Sequence, residues 1–260
     1  VRRILGLHLL QTLALVPTRR PSALAEVDAE GRVVDLRLLG DDEAILAALP
    51  PGPALVAVDA PLAVPDEEGQ RDAERVLAWC DVPAFPVSAT RMRRVHGGTR
   101  GADLAPRLRE GGREVIETLP DLVLRQMAWD RARPPGPIDL GTYREAWLGV
   151  RPPAYRAKAA GRARREGLAP AAALLAGALD LGGWTPAADG DDWAALEDAA
   201  RLDALACAAL ALRAARGAGA GTLTLGTPER GALVLPADEP FRERVAVNLR
   251  RLREEGAVRI

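Results

Sequence analysis

An α/β fold built on a mixed sheet is what this chain predicts, and three observations lead to it. Short Leu/Val-rich segments alternate with helical ones. The elements up to Asp59 run β-β-β-α-β. The run Ala54 to Asp59 is almost wholly apolar, as expected of a strand covered on both faces rather than one half-exposed.

Taken in order, Arg3 to Leu9, Thr12 to Pro17 and Val33 to Leu38 read as three strands of an antiparallel meander, the third bounded by Gly31 and Gly40. Asp41-Asp42 offers an N-cap for a helix through Ala48, and Pro50-Pro51-Gly52-Pro53 stops it. After the apolar strand, Arg71 to Cys80 reads as helix and Val82 to Gly101 as a long Arg/Gly loop. Val115 to Thr118 reads as a second buried strand, with a helix from Pro120. From Thr142 to Gly182 the pattern is helical, broken at Pro152-Pro153, Gly167 and Gly182-Gly183, which predicts a helical insertion over 142–182 within a single domain spanning 1–260. A longer helix follows from Asp191 to Arg216. Thr222 to Leu225 and Ala232 to Leu235 suit a closing hairpin, and Glu239 to Glu255 a charged terminal helix.

The totals narrow the function classes. With 48% hydrophobic and 27% charged residues the chain has the make-up of a soluble globular protein, which excludes disorder, and no stretch approaches the roughly 20 apolar residues of a membrane span. A net charge of -1 removes the basic footprint of a dedicated nucleic-acid binder, so contact with nucleic acid or a nucleotide would be local. Lys158 is the sole lysine; such arginine bias suggests a GC-rich coding sequence and makes arginine abundance alone no sign of function. Cys80 and Cys207 lie in apolar stretches without a CxxC partner, which argues against a disulfide framework and for a cytoplasmic setting. Arg2 and Arg3 precede an apolar run, and Ala23-Leu24-Ala25 resembles a signal cleavage site. His8 and Gln11 interrupt that run, however, and a first strand pair is the better reading. The phosphate-cradling GxxxxGK[ST] loop, HExxH, GxSxG and GxGxxG are absent, and Ser88 with His96 satisfies no triad by itself.

The informative residues are acids where charge is costly. Asp59 ends one apolar strand and Glu117 the other, and ligands of open α/β sheets bind at such carboxyl ends. Asp203 lies in a helix apolar nearly all round. At 100° per residue it shares a face with Leu196, Cys207 and Leu210, while Glu197, Asp198, Arg201 and Arg216 fall opposite, so it points inward. A buried carboxylate needs a partner. A divalent cation is one, and hard oxygen ligands without cysteine favour Mg²⁺ or Mn²⁺. The structural alternatives are a turn cap for Asp59, an ion pair with an arginine such as Arg113 for Glu117, and a buried arginine for Asp203.

Val56-Ala57-Val58-Asp59-Ala60-Pro61-Leu62 resembles the "IDAPL" signature of the family called domain of unknown function 429. Its members are uncharacterised predicted nucleases. Arg71 to Cys80, Val115-Ile116-Glu117-Thr118-Leu119-Pro120, Leu202 to Ala209 and Gly231 to Pro236 resemble further motifs of that family in the same order. The resemblance spans most of the chain. It implies a ribonuclease-H-like fold, whose β-β-β-α-β order matches the one read above, and an acidic cluster carried by Asp59, Glu117 and Asp203. Where the family's first strand has Gly-x-Asp, this chain has Gly6-Leu7-His8, so an imidazole replaces the acid that would bridge two metals. Either the site holds one metal or catalysis has been lost.

Two hypotheses follow. The first is metal-assisted phosphodiester hydrolysis with Asp59, Glu117 and Asp203 as catalytic metal ligands and His8 beside them. Arg91, Arg93, Arg94, His96 and Arg100 would then contact substrate phosphates. The second is a non-catalytic nucleic-acid-binding or scaffold protein that keeps the fold. An actin-like phosphotransferase needs a glycine-rich phosphate hairpin after the first strand, which Leu9-Leu10-Gln11-Thr12 lacks. Arg156, Lys158, Arg162, Arg164 and Arg165 read as the outer face of a helix, and Trp129, Trp147, Trp184 and Trp193 as core or interface.

Overall fold

In the computed structural model, which describes residues 2–10, 21–156, 161–187, 190–217 and 221–255, the meander at the N-terminus is the start of a seven-stranded mixed sheet. Strands β1 (Arg3–His8), β2 (Ser22–Val27) and β3 (Val33–Leu39) pair antiparallel. β4 (Ala54–Val58) lies parallel to β1, and β5 (Glu114–Glu117) parallel to β4. β6 (Thr222–Leu225) and β7 (Leu233–Pro236) form the closing antiparallel pair, and β7 meets β5 in parallel, giving the order β3-β2-β1-β4-β5-β7-β6. The protein is thus a mixed α/β fold, as predicted.

The helices are α1 (Asp42–Ala48), α2 (Asp72–Trp79), α3 (Ala89–His96), α4 (Arg100–Arg109), α5 (Pro120–Ala132), α6 (Leu140–Gly149), α7 (Gly161–Leu175), α8 (Asp192–Ala215) and α9 (Glu239–Glu254). Asp41 caps α1 by accepting from the Ala44 amide, and Asp191 caps α8 by accepting from Ala194. No helix among the described residues is long and apolar enough to cross a membrane.

One prediction needs correction, and another falls outside the described residues. The second strand was expected at Thr12 to Pro17, which lies outside the described residues; the strand beside β1 is Ser22–Val27, every residue of it buried. Its Ala-rich sequence carries little strand propensity, and burial on both faces decides the matter. Ala23-Leu24-Ala25 therefore sits inside the sheet. The expected Arg/Gly loop contains α3, whose ends are set by Ser88, accepting from the Arg91 amide, and by Gly97 at φ 77°.

Strand periodicity of two divides the core. Ile4, Ala23, Ala25, Val27, Leu55 and Ala57 face α5, α7 and α8. Leu5, Leu7, Leu24, Val56 and Val58 face α1 and α4 through Ile45, Leu104 and Leu108. A third cluster joins α2, α6 and α9 to the β6–β7 pair, with Trp129, Tyr143, Trp147 and Phe241 fully enclosed; Trp193 is exposed.

α8 packs closest on β1, and Gly6 is the reason. A Cβ there would lie 2.0 Å from the Ala204 carbonyl oxygen and 2.2 Å from the Ala208 amide nitrogen. Only glycine admits the helix backbone at this depth. The same approach brings Asp203 to the end of β1.

Candidate metal centre

His8 is the last residue of β1, and alternation puts it on the α8 face with Ile4 and Gly6. Asp59 follows β4 directly and shares that face with Leu55 and Ala57; its amide donates to the Leu7 carbonyl at 3.0 Å, which ties it to β1. Asp203 descends from α8. His8 Nδ1 lies 3.1 Å from Asp59 Oδ2 and 3.4 Å from Asp203 Oδ2. One ligand atom from each of the three residues falls within 4.8 Å of the others. The site opens at the carboxyl ends of parallel strands, and its nitrogen and two carboxylate oxygens form a donor set that suits Mg²⁺ or Mn²⁺.

Arg156 enters this cluster from the segment between α6 and α7. Its Nη2 donates to Asp59 Oδ2 at 2.5 Å, its Nε lies 3.0 Å from Asp203 Oδ2, and its Nη1 lies 3.2 Å from Asp121 Oδ2 in the first turn of α5. The neighbouring Tyr155 is fully buried, and its hydroxyl donates to Asp203 Oδ1 at 2.5 Å. Gly167 of α7 makes room for this segment: a Cβ there would be 2.7 Å from the Ala154 carbonyl carbon. Sequence reasoning placed Arg156 on the outer face of a helix, but it precedes α7 and turns inward. Arg164, in the same set, is buried; Arg162 and Arg165 are on the surface, pairing with Glu166 and Asp192; Lys158 lies outside the described residues.

The charges respond to this packing. Burial disfavours the ionised form of Asp203 and raises its carboxyl, outweighing Arg156 and His8. At Asp59 burial is outweighed by Arg156 and by His8, and the carboxyl is held below the usual aspartate range. Burial opposes the charge on Arg156, yet Asp203, Asp59 and Asp121 together keep its guanidinium firmly protonated. Burial and the Asp203 carboxylate push the Tyr155 hydroxyl well up, so it stays a donor.

Glu117 does not join the cluster. It ends β5 opposite Val58 and accepts from Arg71 Nη1 at 2.9 Å and Nη2 at 2.5 Å, and from the Leu62 amide at 2.9 Å. Arg71 also binds Glu74 through Nε at 2.8 Å. All three side chains are at most 3% exposed. Glu117, expected as a catalytic metal ligand, thus stands apart from the converging ligand atoms of His8, Asp59 and Asp203, with its oxygens accepting from Arg71 and Leu62 instead. Its partner is Arg71 rather than Arg113, which binds the carbonyls of Leu108 and Pro50. Gly231 at φ 89° permits the arrangement, since a Cβ there would be 2.2 Å from Arg71 Nη1.

The basic segment is likewise partly committed to structure. Arg100 is buried, donating to Asp42 at 2.8 Å and to the Leu10 carbonyl at 2.6 Å, and Arg93 pairs with Glu67. Arg91 stacks over Phe85, whose ring meets His96 edge-on at 5.2 Å, and Arg94 is exposed. Ser88 caps α3, its hydroxyl accepting from the Arg91 amide. Asp198, expected on the solvent side of α8, is buried and accepts from the Ala187 amide and from Arg201.

A family model described as Protein of unknown function (DUF429) matches residues 19–230. The chain belongs to this family. The span shared with the family holds Asp59, Asp121, Arg156 and Asp203, and β1 with His8 precedes it. No curated protein and no solved structure matches the chain. Tyr155 and Arg156 were missed in the sequence because a tyrosine and an arginine after Pro152-Pro153 carry no motif. The nearest signal was charge balance, since a buried Asp203 required a cation from somewhere.

Proposed function

We propose that the protein is a divalent-cation-dependent phosphodiesterase acting on nucleic acid or a nucleotide, with one Mg²⁺ or Mn²⁺ held by His8, Asp59 and Asp203. The observation that carries this reading is the convergence of those three ligand atoms within 4.8 Å at the ends of β1 and β4. When bound, the cation would supply an activated water and Lewis-acid stabilisation of the departing oxygen. The chain's own residues supply the rest. Tyr155 fixes the rotamer of Asp203 through its hydroxyl. His8 holds its Nδ1 3.1 Å from Asp59 Oδ2, which orients the imidazole in the cluster. An imidazole in place of an acid leaves the site one negative charge short of a two-metal centre, hence the single ion. The family resemblance to predicted nucleases with a ribonuclease-H-like fold supports the same reading. The unpaired cysteines suit a cytoplasmic setting.

One observation favours a second reading, a non-catalytic protein that retains the fold: a guanidinium already pairs with both aspartates. Calorimetric titration with Mn²⁺ tests the first proposal. Binding by the wild type and its loss in Asp59→Asn are expected. No binding by wild type or by any variant that frees the carboxylates would overturn it, and binding without cleavage of DNA, RNA or nucleotides would favour the second. A gain of nuclease activity in His8→Asp would mark the native centre as reduced.

A further inference from the structure

Asp59 Oδ2 and Asp203 Oδ2 are the oxygens that face His8 Nδ1, and they are also the oxygens that Arg156 takes. A cation placed between His8 Nδ1 and these two oxygens would compete for them with the guanidinium of Arg156. The third oxygen on Arg156, Asp121 Oδ2, lies outside the cluster. Exposure rises along the arginine's path outward, from 4% for the Asp203 side chain to 25% for Arg156 and 38% for Asp121. Arg156 can thus give up its two inner partners and keep a carboxylate.

We propose that Arg156 and a divalent cation are alternative occupants of the His8–Asp59–Asp203 cluster, and that Asp121 receives the guanidinium when the ion enters. This rests on the metal-binding reading above and adds what sets the affinity. With Arg156 inside, the two aspartates already share a cationic partner without metal, and an ion that binds through the same oxygens must displace it. Asp121 lowers the cost of that displacement. After it, the guanidinium stands beside the ion, where a phosphate oxygen is the natural partner of a freed arginine.

The arginine and the ion are linked by mutual exclusion, so removing one raises the apparent affinity for the other. The test is calorimetric titration of the full chain with MnCl₂ in four forms: wild type, Arg156→Gln, Asp121→Asn and the double variant. Arg156→Gln is expected to bind Mn²⁺ about tenfold more tightly, within the usual range for coupled sites. Asp121→Asn is expected to bind severalfold more weakly, because the arginine has lost its outer acceptor. In the Arg156→Gln background the Asp121→Asn effect should vanish. Arg156→Lys, which keeps the charge without the three-way fork, should fall between wild type and Arg156→Gln.

Equal or weaker binding by Arg156→Gln than by wild type overturns the competition and leaves the metal site standing. An undiminished Asp121→Asn effect in the double variant overturns the role of Asp121 as acceptor. If neither wild type nor Arg156→Gln binds, the metal-binding reading fails and the inference with it. Should Arg156→Gln fold poorly, thermal melts with and without MnCl₂ decide the matter. The ion must then raise its melting temperature by more than it raises that of the wild type, and an equal or smaller rise overturns the proposal.

Discussion

Beyond the ends of the neighbouring parallel strands β4 and β5, two arginines each hold buried carboxylates, and they hold them differently. Arg71 clamps Glu117 and Glu74 with 2% of its side chain exposed, wedged against Gly231. Arg156 bridges Asp59 and Asp203 from a segment between helices, a quarter exposed, with a third carboxylate on its outer side. The chemistry is the same in both. What separates the two is how far each cation is exposed, and that is a property of packing rather than of residue type.

The largest effect is expected at the closed cluster. Arg71→Met leaves two buried carboxylates uncompensated and should cost about 3–5 kcal/mol, read from urea denaturation. Gly6→Ala tests the other region through its backbone: a methyl 2.0 Å from the Ala204 oxygen forces α8 off β1. A loss at or above about 3 kcal/mol, the upper part of the overpacking range, is expected together with loss of Mn²⁺ binding. Arg156→Gln should cost less than half of what Arg71→Met does, because Asp203 retains Tyr155 and His8 and its raised carboxyl can take up a proton. An equal or larger loss would erase the distinction between clamp and site.

The smallest effect concerns pH at the clamp. Burial raises the Glu74 carboxyl above its ordinary value of 4.5, against the pull of Arg71, and Oε2 of Glu74 has no hydrogen-bond partner. A folded-state value above the unfolded one means that the folded chain binds the extra proton. The contribution is therefore fully present below 4.5 and is lost as pH rises through the raised value. Glu74→Gln should remove this fall, so that the variant gains on the wild type in urea midpoint as pH rises above 4.5. A constant difference over that rise would show that Glu74 stays ionised.

Much of this was legible in the sequence, for reasons that lie in local chemistry. Ala54 to Val58 is apolar enough to announce a strand buried on both faces, and Asp203 among alanines and leucines had to point inward. The β2 segment was not legible, because Ser22-Ala23-Leu24-Ala25-Glu26-Val27 becomes a strand only when α8 and the opposite core cover it. Glu117 had the same credentials as Asp59 in sequence, an acid after an apolar run and before a proline, and Arg71 alone separates them.

The sequence by itself determined that Asp203 and Glu117 are buried, since burial follows from the apolar residues around them, whereas the burial of Asp198 and Glu74 was not legible there. Only the tertiary structure decided which cation each one meets. Arg71 is distant from Glu117 along the chain, and Arg156 from Asp59 and Asp203, and nothing local relates them. Coulomb attraction requires each buried acid to find a partner without naming one. The packing of α8 over Gly6, of α7 over the Tyr155–Arg156 segment and of Arg71 against Gly231 makes the choice.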